Sequence, residues 1–114
     1  MKCAVSIDLD GVACYYRIHG LGPAPAELEH VILERALPRA AALFAHKKMR
    51  VTWFVIGRDA DADAALPGHT ARVANAQRLR TLFDLGDELG NHSYSHPYDL
   101  ARLSPSAVDS EIAN

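Results

Sequence analysis

The feature that most constrains the fold is a nearly uninterrupted apolar run in the middle of the chain. Residues 51–56 read Val-Thr-Trp-Phe-Val-Ile, and Gly57 follows them. A strand with one face in water alternates apolar and polar side chains, whereas a strand covered on both faces is apolar almost throughout. The run therefore predicts a strand that is buried on both faces, as in a parallel sheet covered by helices.

Shorter β-prone runs lie on either side of this strand, at residues 3–8 and 88–91. Helical spacing separates the runs, because apolar residues recur at intervals of three and four over residues 33–44 and 70–85. Pro38 falls inside the first of these patterns and predicts a kink, or a helix that restarts with this proline in its first turn. Each pair of neighbouring strands is thus joined by a helix.

A last helix is predicted after the third strand, with Pro105 at its first position. The resulting order, β–α–β–α–β–α, is typical of parallel strands with helical crossovers. Active sites in such sheets lie at the carboxyl ends of the strands. We therefore expect functional side chains just after residues 8, 57 and 91.

Composition agrees with a compact α/β domain and excludes several classes of protein. Of the 114 residues, 49% are hydrophobic and 23% are charged, with a formal net charge of −2. This balance argues against intrinsic disorder and against a strongly basic nucleic-acid-binding protein. No apolar run approaches the roughly 18 residues of a membrane span. No signal peptide is visible, so we expect a cytoplasmic protein, or an exported one if a leader has been removed.

Two aspartates end the first predicted strand, in the segment Asp8-Leu9-Asp10-Gly11. Strand side chains alternate between faces, so Asp8 and Asp10 project to one side and Leu9 to the other. Two carboxylates on one side repel each other unless a cation or a shared proton relieves them. This arrangement favours a functional site over a solvated acidic turn.

Two histidines follow the third predicted strand, in a polar segment bounded by Gly90 and Pro97. His92 and His96 lie outside any helical pattern, and Ser93 stands where a zinc-protease helix would carry its glutamate. Each imidazole offers a neutral nitrogen ligand, and a tight turn can direct both to one ion.

Taken together, the two strand ends predict a catalytic metal site. Asp10, His92 and His96 would supply three ligands and leave one coordination position open, which is the pattern of a catalytic rather than a structural metal. Such an ion lowers the pKa of a bound water molecule and polarises a carbonyl group. Asp8 would remain beside that water as a base.

Three segments resemble the polysaccharide deacetylases, the NodB-homology domains of carbohydrate esterase family 4. They are residues 6–11, 51–57 and 88–97, of which the last is the most specific. The family's first motif usually has adjacent aspartates, whereas Leu9 separates them here. The resemblance implies a distorted (β/α) barrel, related to the TIM barrel, and removal of acetyl groups from N-acetylated sugars.

The resemblance also implies roles for individual residues. His92, His96 and Asp10 would bind a divalent metal, with zinc the expected ion and cobalt, nickel or manganese as alternatives. Asp8 would be the catalytic base, and the partner would be an N-acetylated glycan. The family's later arginine motif and late histidine have no counterpart in the sequence. A complete barrel takes about 250 residues, so we expect residues 1–114 to be the N-terminal portion of a domain truncated at its C-terminus.

Two other functions stay open at the level of sequence. The segment from Asp8 to Gly11 also resembles the first motif of haloacid-dehalogenase-type phosphatases, in which the first aspartate is the nucleophile and Mg²⁺ binds nearby. Thr52 would then supply that family's second hydroxyl, but the two histidines would have no role. The third hypothesis is a non-catalytic fragment that binds metal or sugar without turnover.

Substrate-binding residues are harder to predict. Four residues after the aspartates, in what we interpret as a Gly/Pro-rich loop, are candidates for contacts to a sugar ring: Tyr15, Tyr16, Arg17 and His19. A second acidic segment, with aspartates at positions 59, 61 and 63, lacks the turn glycine of a calcium loop, and we interpret it as a solvated loop.

Overall fold

The computed structural model describes residues 3–63 and 65–113. Its centre is a three-stranded parallel sheet in the order β1-β2-β3, formed by β1 (Val5–Asp8), β2 (Val51–Val55) and β3 (Glu88–Asn91). The mixed α/β class predicted from the sequence is confirmed. The three strands form an open sheet and do not close into a barrel.

Within the described residues, five α-helices flank and connect the strands. They are α1 (Val12–Ile18), α2 (Leu37–His46), α3 (Gly57–Ala60), α4 (His69–Asp84) and α5 (Pro105–Ala113). A π-helical segment (Ile32–Ala36) precedes α2, and short 3-10 turns cover Ala26–Leu28 and Leu100–Arg102. No helix of the described residues is long and apolar enough to cross a membrane.

The helix boundaries follow the proline and glycine signals of the sequence. Pro38 occupies the first turn of α2, and the wider π-helical turns lie immediately before it. A proline inside a helix cannot donate a backbone hydrogen bond, so a change of helical geometry is expected there. After α4, Gly86 adopts a φ of 95°, the left-handed conformation that often ends a helix.

One face of the sheet carries the hydrophobic core. Trp53 is fully buried and Val51 nearly so, and both pack with Leu37 of α2 and Leu79 of α4. Leu9, just after β1, joins the same cluster. Most of the apolar residues at intervals of three and four in α2 and α4 therefore face the sheet, as their spacing predicts, but Phe83 of α4 is exposed.

The opposite face of the sheet is more open than the sequence predicts. Parallel register aligns Asp8 with Phe54 and Phe54 with Gly90, so these residues share one face. Asp8 is exposed and Thr52 and Phe54 are only half-buried, so the prediction that β2 is covered on both faces is wrong for this face. Thr52 tolerates the exposure because its hydroxyl donates a 2.7 Å hydrogen bond to the Glu88 carboxylate.

The segment after the aspartates is a helix rather than the predicted loop. Tyr15, Tyr16 and Arg17 lie in α1, and His19 caps its C-terminus with a backbone N–H to the Tyr15 carbonyl at 3.1 Å. In α1 only Cys14 is buried, so the segment lacks the apolar stripe by which a helix is recognised in a sequence. Gly20, with a φ of 62°, ends the helical turn.

Candidate metal centre

The candidate site lies above the carboxyl end of β2, where the segments following β1 and β3 meet. These two strands are not neighbours, because β2 lies between them. Both segments continue to hydrogen-bond to β2: the Leu9 N–H donates to the Phe54 carbonyl at 2.9 Å, and the His92 N–H donates to the Val55 carbonyl at 3.0 Å. The end of β2 therefore fixes the positions from which Asp10 and His92 reach toward each other.

Asp10, His92 and His96 converge as the sequence predicts. Oδ1 of Asp10 lies 3.2 Å from Nε2 of His92 and 3.5 Å from Nε2 of His96. One ligand atom from each residue lies within 4.8 Å of the other two. Two ligands of a tetrahedral zinc ion are about 3.3 Å apart, because each bond is roughly 2.0–2.2 Å long. The spacing and the two-nitrogen, one-oxygen donor set thus fit a divalent ion.

The three side chains form a partly enclosed pocket rather than a surface cluster. Between 18% and 27% of each side chain is exposed. The two imidazole rings lie 4.6 Å apart between centroids, and Nδ1 of His96 is buried with no hydrogen-bond partner among the described residues. Partial burial leaves room for a ligand from solvent while limiting competition from water.

The histidine loop, residues 91–97, has an unusual backbone. Ser93 and His96 have φ values of 58° and 55°, in the left-handed region that residues with a Cβ rarely adopt. Two local hydrogen bonds stabilise the turn: the Ser93 N–H donates to the Asn91 side chain at 2.7 Å, and the His96 N–H donates to Ser93 Oγ at 3.1 Å. This conformation turns the chain back so that His92 and His96 can face one point.

Helix α3 holds one side of the histidine loop. The Gly57 N–H donates to the Ser93 carbonyl at 3.0 Å, and the Arg58 N–H donates to the Tyr94 carbonyl at 2.9 Å. The first N–H groups of a helix lack partners within the helix, so the loop carbonyls satisfy them.

Helix α5 holds the other side, and sequence reasoning missed this contact. The Glu111 carboxylate accepts hydrogen bonds of 2.7 Å from both the N–H and the hydroxyl of Ser95. The Tyr94 N–H donates to the Glu111 carbonyl at 2.8 Å, and the Asn91 side chain donates to the Ile112 carbonyl at 3.0 Å. The two hydrogen bonds from Ser95 hold the pKa of the Glu111 carboxyl below its usual value.

Asp8 does not belong to the metal-ligating group. It is exposed on the open face of the sheet, two residues before Asp10, and among the described residues its carboxylate has no hydrogen bond or ion pair. Its role as a base stays a prediction. Leu9 between the two aspartates lies in the core, and only Asp10 belongs to the group of possible ligands among the described residues.

Of the four substrate-binding candidates, Arg17 has a side-chain environment that connects it to the site. Within the part of the chain that the structure describes, the other three do not: Tyr15, Tyr16 and His19. The Arg17 guanidinium carbon lies 5.7 Å from the centroid of the Tyr98 ring. The Tyr98 ring in turn packs edge-on against the His96 ring, with 5.2 Å between the two centroids. Tyr98, which sequence reasoning missed, therefore links Arg17 to the candidate metal centre. Burial, with the nearby Cys14 and Asp10, raises the pKa of the Tyr98 hydroxyl.

The second acidic segment is not the uniformly solvated loop that we predicted. Asp59 lies in α3, and burial raises the pKa of its carboxyl. Asp61 accepts hydrogen bonds from the Asp63 N–H and from the Tyr94 hydroxyl, at 2.9 and 2.8 Å, and both lower the pKa of its carboxyl. The segment thus supports the histidine loop through Tyr94.

The fold and the site agree with the comparison against known families. The sequence model of the polysaccharide deacetylase family matches residues 25–114, and the chain belongs to this family. The matched region contains His92 and His96 and begins after Asp10.

A peptidoglycan deacetylase of Helicobacter pylori (strain ATCC 700392 / 26695) is similar to the chain. The two are 27% identical over 108 residues, which cover 93% of the chain and 33% of that protein. The chain thus spans about a third of the length of this curated relative. No solved structure matches the chain.

Proposed function

We propose that the chain carries the metal-binding part of a hydrolase that removes N-acetyl groups from an amino-sugar polymer or oligomer. The observation that supports this most directly is the convergence of Asp10, His92 and His96, with one ligand atom from each within 4.8 Å of the others. Membership of the polysaccharide deacetylase family supports the reaction class. The peptidoglycan deacetylase relative supports an N-acetylated glycan as substrate.

The proposed ligands are Nε2 of His92, Nε2 of His96 and Oδ1 of Asp10. When bound, a divalent ion at such a site polarises a carbonyl group and lowers the pKa of water. Zinc suits two imidazole nitrogens and one carboxylate oxygen, and cobalt, nickel and manganese accept the same donors less selectively. Asp10 also supplies negative charge, which holds both rings with Nε2 directed inward.

Asp8 is the proposed base. Its exposed carboxylate lies at the carboxyl end of β1, free of hydrogen bonds among the described residues, and can take a proton from a water molecule that attacks the acetamide carbonyl. The amide C–N bond then breaks, acetate leaves, and the sugar nitrogen gains a proton to become an amine. A positioned base of this kind contributes about 10²–10⁴-fold to a rate.

Calorimetric titration with Zn²⁺ tests the site. The wild-type chain should bind one ion, and His92→Ala and His96→Ala should each abolish specific binding. His46→Ala is the matched control, because His46 is an exposed histidine at the end of α2. Unchanged zinc affinity in either site variant would show that the assignment of His92 and His96 as metal ligands is wrong.

The phosphatase alternative is less well supported. It requires Asp8 as nucleophile and gives no role to the two histidines, which lie beside Asp10. It also requires a free hydroxyl at Thr52, whereas this hydroxyl donates to Glu88. Binding of Mg²⁺ that persists when both histidines are replaced by alanine would favour the phosphatase over the deacetylase.

The non-catalytic alternative differs in turnover rather than in binding. Incubation of the Zn²⁺-loaded chain with an N-acetylglucosamine oligomer, followed by measurement of released acetate, separates the two. Acetate release by the chain, or by a longer protein that contains it, would support the hydrolase, whereas metal binding without acetate release by either would support the non-catalytic alternative.

A further inference from the structure

Both sides of the histidine loop are held by backbone and side-chain contacts. On the α3 side Gly57 and Arg58 donate to the Ser93 and Tyr94 carbonyls, and the Tyr94 hydroxyl donates to Asp61, which follows α3. On the α5 side a side chain is essential, because the Glu111 carboxylate accepts both hydrogen bonds from Ser95. A substitution of Glu111 can therefore weaken the Ser95 hydrogen bonds while leaving in place the α3 contacts and the hydrogen bonds to the backbone carbonyls of α5.

The position of Ser95 makes its hydrogen bonds to Glu111 relevant to the candidate ligands. Ser95 directly precedes His96, and Ser93 and His96 both have the left-handed backbone that costs about 1 kcal/mol or more for residues with a Cβ. Such a conformation persists only when surrounding contacts fix it. The half-buried Glu111 supplies two of these contacts at 2.7 Å.

The ring of His96 contacts the Asp10 carboxylate through Nε2 and lies against the rings of His92 and Tyr98, but its second nitrogen has no partner in the part of the chain that the structure describes. Its Nδ1 is buried without a hydrogen-bond partner among the described residues, so no direct hydrogen bond at this atom sets the orientation of the ring. A metal-bound histidine is usually oriented by such a partner. The backbone on either side of His96 then contributes more to the orientation of the ring.

We infer that Glu111 is a positioning residue for the metal centre: by holding Ser95 it fixes the histidine loop in the conformation in which His96 and His92 meet Asp10. The inference rests on the proposed metal site and adds to it a residue from α5, nineteen positions after His92. Glu111 acts through Ser95 and makes no contact with the metal itself.

Co²⁺ titration of the chain, followed by visible absorption, measures this effect. Glu111→Gln keeps the size of the side chain but leaves one acceptor oxygen for two donors. It should weaken Co²⁺ binding about 10-fold, which is the lower end of the loss of metal affinity seen when a residue that supports a ligand is replaced. Asp109→Asn is the matched control, because Asp109 is an exposed acid on the same helix. It should bind Co²⁺ like the wild type.

A double-mutant cycle with Ser95→Ala separates positioning from general stability. Ser95→Ala removes the hydroxyl donor, and the backbone N–H that remains at this position can still be satisfied by the single amide oxygen that Glu111→Gln leaves. Glu111→Gln should therefore weaken Co²⁺ binding less in the Ser95→Ala background than in the wild type. The absorption bands of bound Co²⁺ should also shift in Glu111→Gln, since the ligand geometry changes.

The outcomes are distinct for the two proposals. If the wild-type chain binds Co²⁺ and Glu111→Gln binds it equally well, the Glu111 inference is wrong and the metal site stands. If the wild-type chain binds no ion, both are wrong. If Glu111→Gln does not fold, Ser95→Ala alone decides: weaker binding by a folded variant supports the inference, and wild-type affinity overturns it.

Discussion

The indole Nε1 of Trp53 donates a 2.9 Å hydrogen bond to Oδ2 of Asp87, the residue that precedes β3. The other oxygen of the same carboxylate accepts the Val51 N–H at 3.2 Å. Trp53 is fully buried, so its polar nitrogen has no access to water. One carboxylate thus satisfies the first residue of β2 and its central side chain, and fixes where β3 begins.

Asp87→Ala should destabilise the chain substantially. Two donors lose their acceptor, and a buried unsatisfied donor costs about 1–3 kcal/mol, so the free energy of unfolding should fall by at least about 2 kcal/mol. Urea unfolding measures it. Asp84→Ala is the control, because Asp84 forms only an exposed i,i+4 pair with Arg80, which is worth about 0.3–0.5 kcal/mol. Equal losses in the two variants would contradict this account.

Gly90 is required by its close approach to Phe54. A Cβ at position 90 would lie 2.6 Å from two atoms of the Phe54 ring, so Gly90→Ala should cost about 1–3 kcal/mol through overpacking. In a Phe54→Ala background the obstacle is absent and the same substitution should cost much less. Urea unfolding of the four proteins gives the coupling energy, and additive losses would show that the ring is not the cause.

The roles of the two aspartates can be separated by isosteric substitutions. Asp10→Asn removes the charged ligand and should weaken Zn²⁺ binding by more than the roughly 10–100-fold cost of losing a supporting group. Asp8→Asn should leave Zn²⁺ affinity unchanged, because Asp8 lies outside the ligating group. Calorimetry distinguishes them, and if Asp8→Asn loses the metal, the assignments of Asp8 and Asp10 must be exchanged.

Much of the fold could be predicted because its signals are local. The start of β2 agrees with the apolar run at residues 51–56, β3 agrees with the short strand expected at residues 88–91, and the first position of α5 agrees with Pro105. The meeting of Asp10 with the histidines could also be predicted, since parallel strands bring their carboxyl ends to one edge.

The remaining parts of the site depend on tertiary contacts that leave no pattern in the sequence. Glu111 reaches Ser95 only because α5 docks against the histidine loop. The left-handed backbone at Ser93 and His96 could not be predicted, because neither residue is the glycine that usually adopts this conformation. Helix α1 escapes prediction because it buries a single residue, Cys14, and so has no periodic apolar face.

Arg17 should contribute to glycan binding through its place beside Tyr98. Loss of one hydrogen bond to a sugar, worth about 1 kcal/mol, corresponds to roughly fivefold weaker binding. We therefore expect Arg17→Met to raise the Kd for an N-acetylglucosamine oligomer about fivefold in an NMR titration of the Zn²⁺-loaded chain. Arg39→Met, which replaces an exposed arginine of α2, is the matched control and should have little effect. Equal losses of affinity in the two variants would show that the position of Arg17 is not the cause.

Asp59 should make the stability of the chain fall as the pH rises. Burial raises the pKa of its carboxyl, although Arg58 and Arg72 oppose the shift. Between the ordinary pKa and the raised one, the folded chain holds a proton that the unfolded chain has released, so the contribution present at lower pH is lost as pH rises through this window.

Asp59→Asn cannot titrate and should lose this fall in stability, whereas Asp63→Asn, at an exposed position in the same segment, should keep it. Because other carboxylates also titrate, the informative quantity is the difference between each variant and the wild type. The comparison needs urea unfolding from about pH 3 to 7, a range that brackets the ordinary carboxyl pKa and values above it. A constant difference between Asp59→Asn and the wild type over this range would show that the Asp59 carboxyl titrates alike in the folded and unfolded chain.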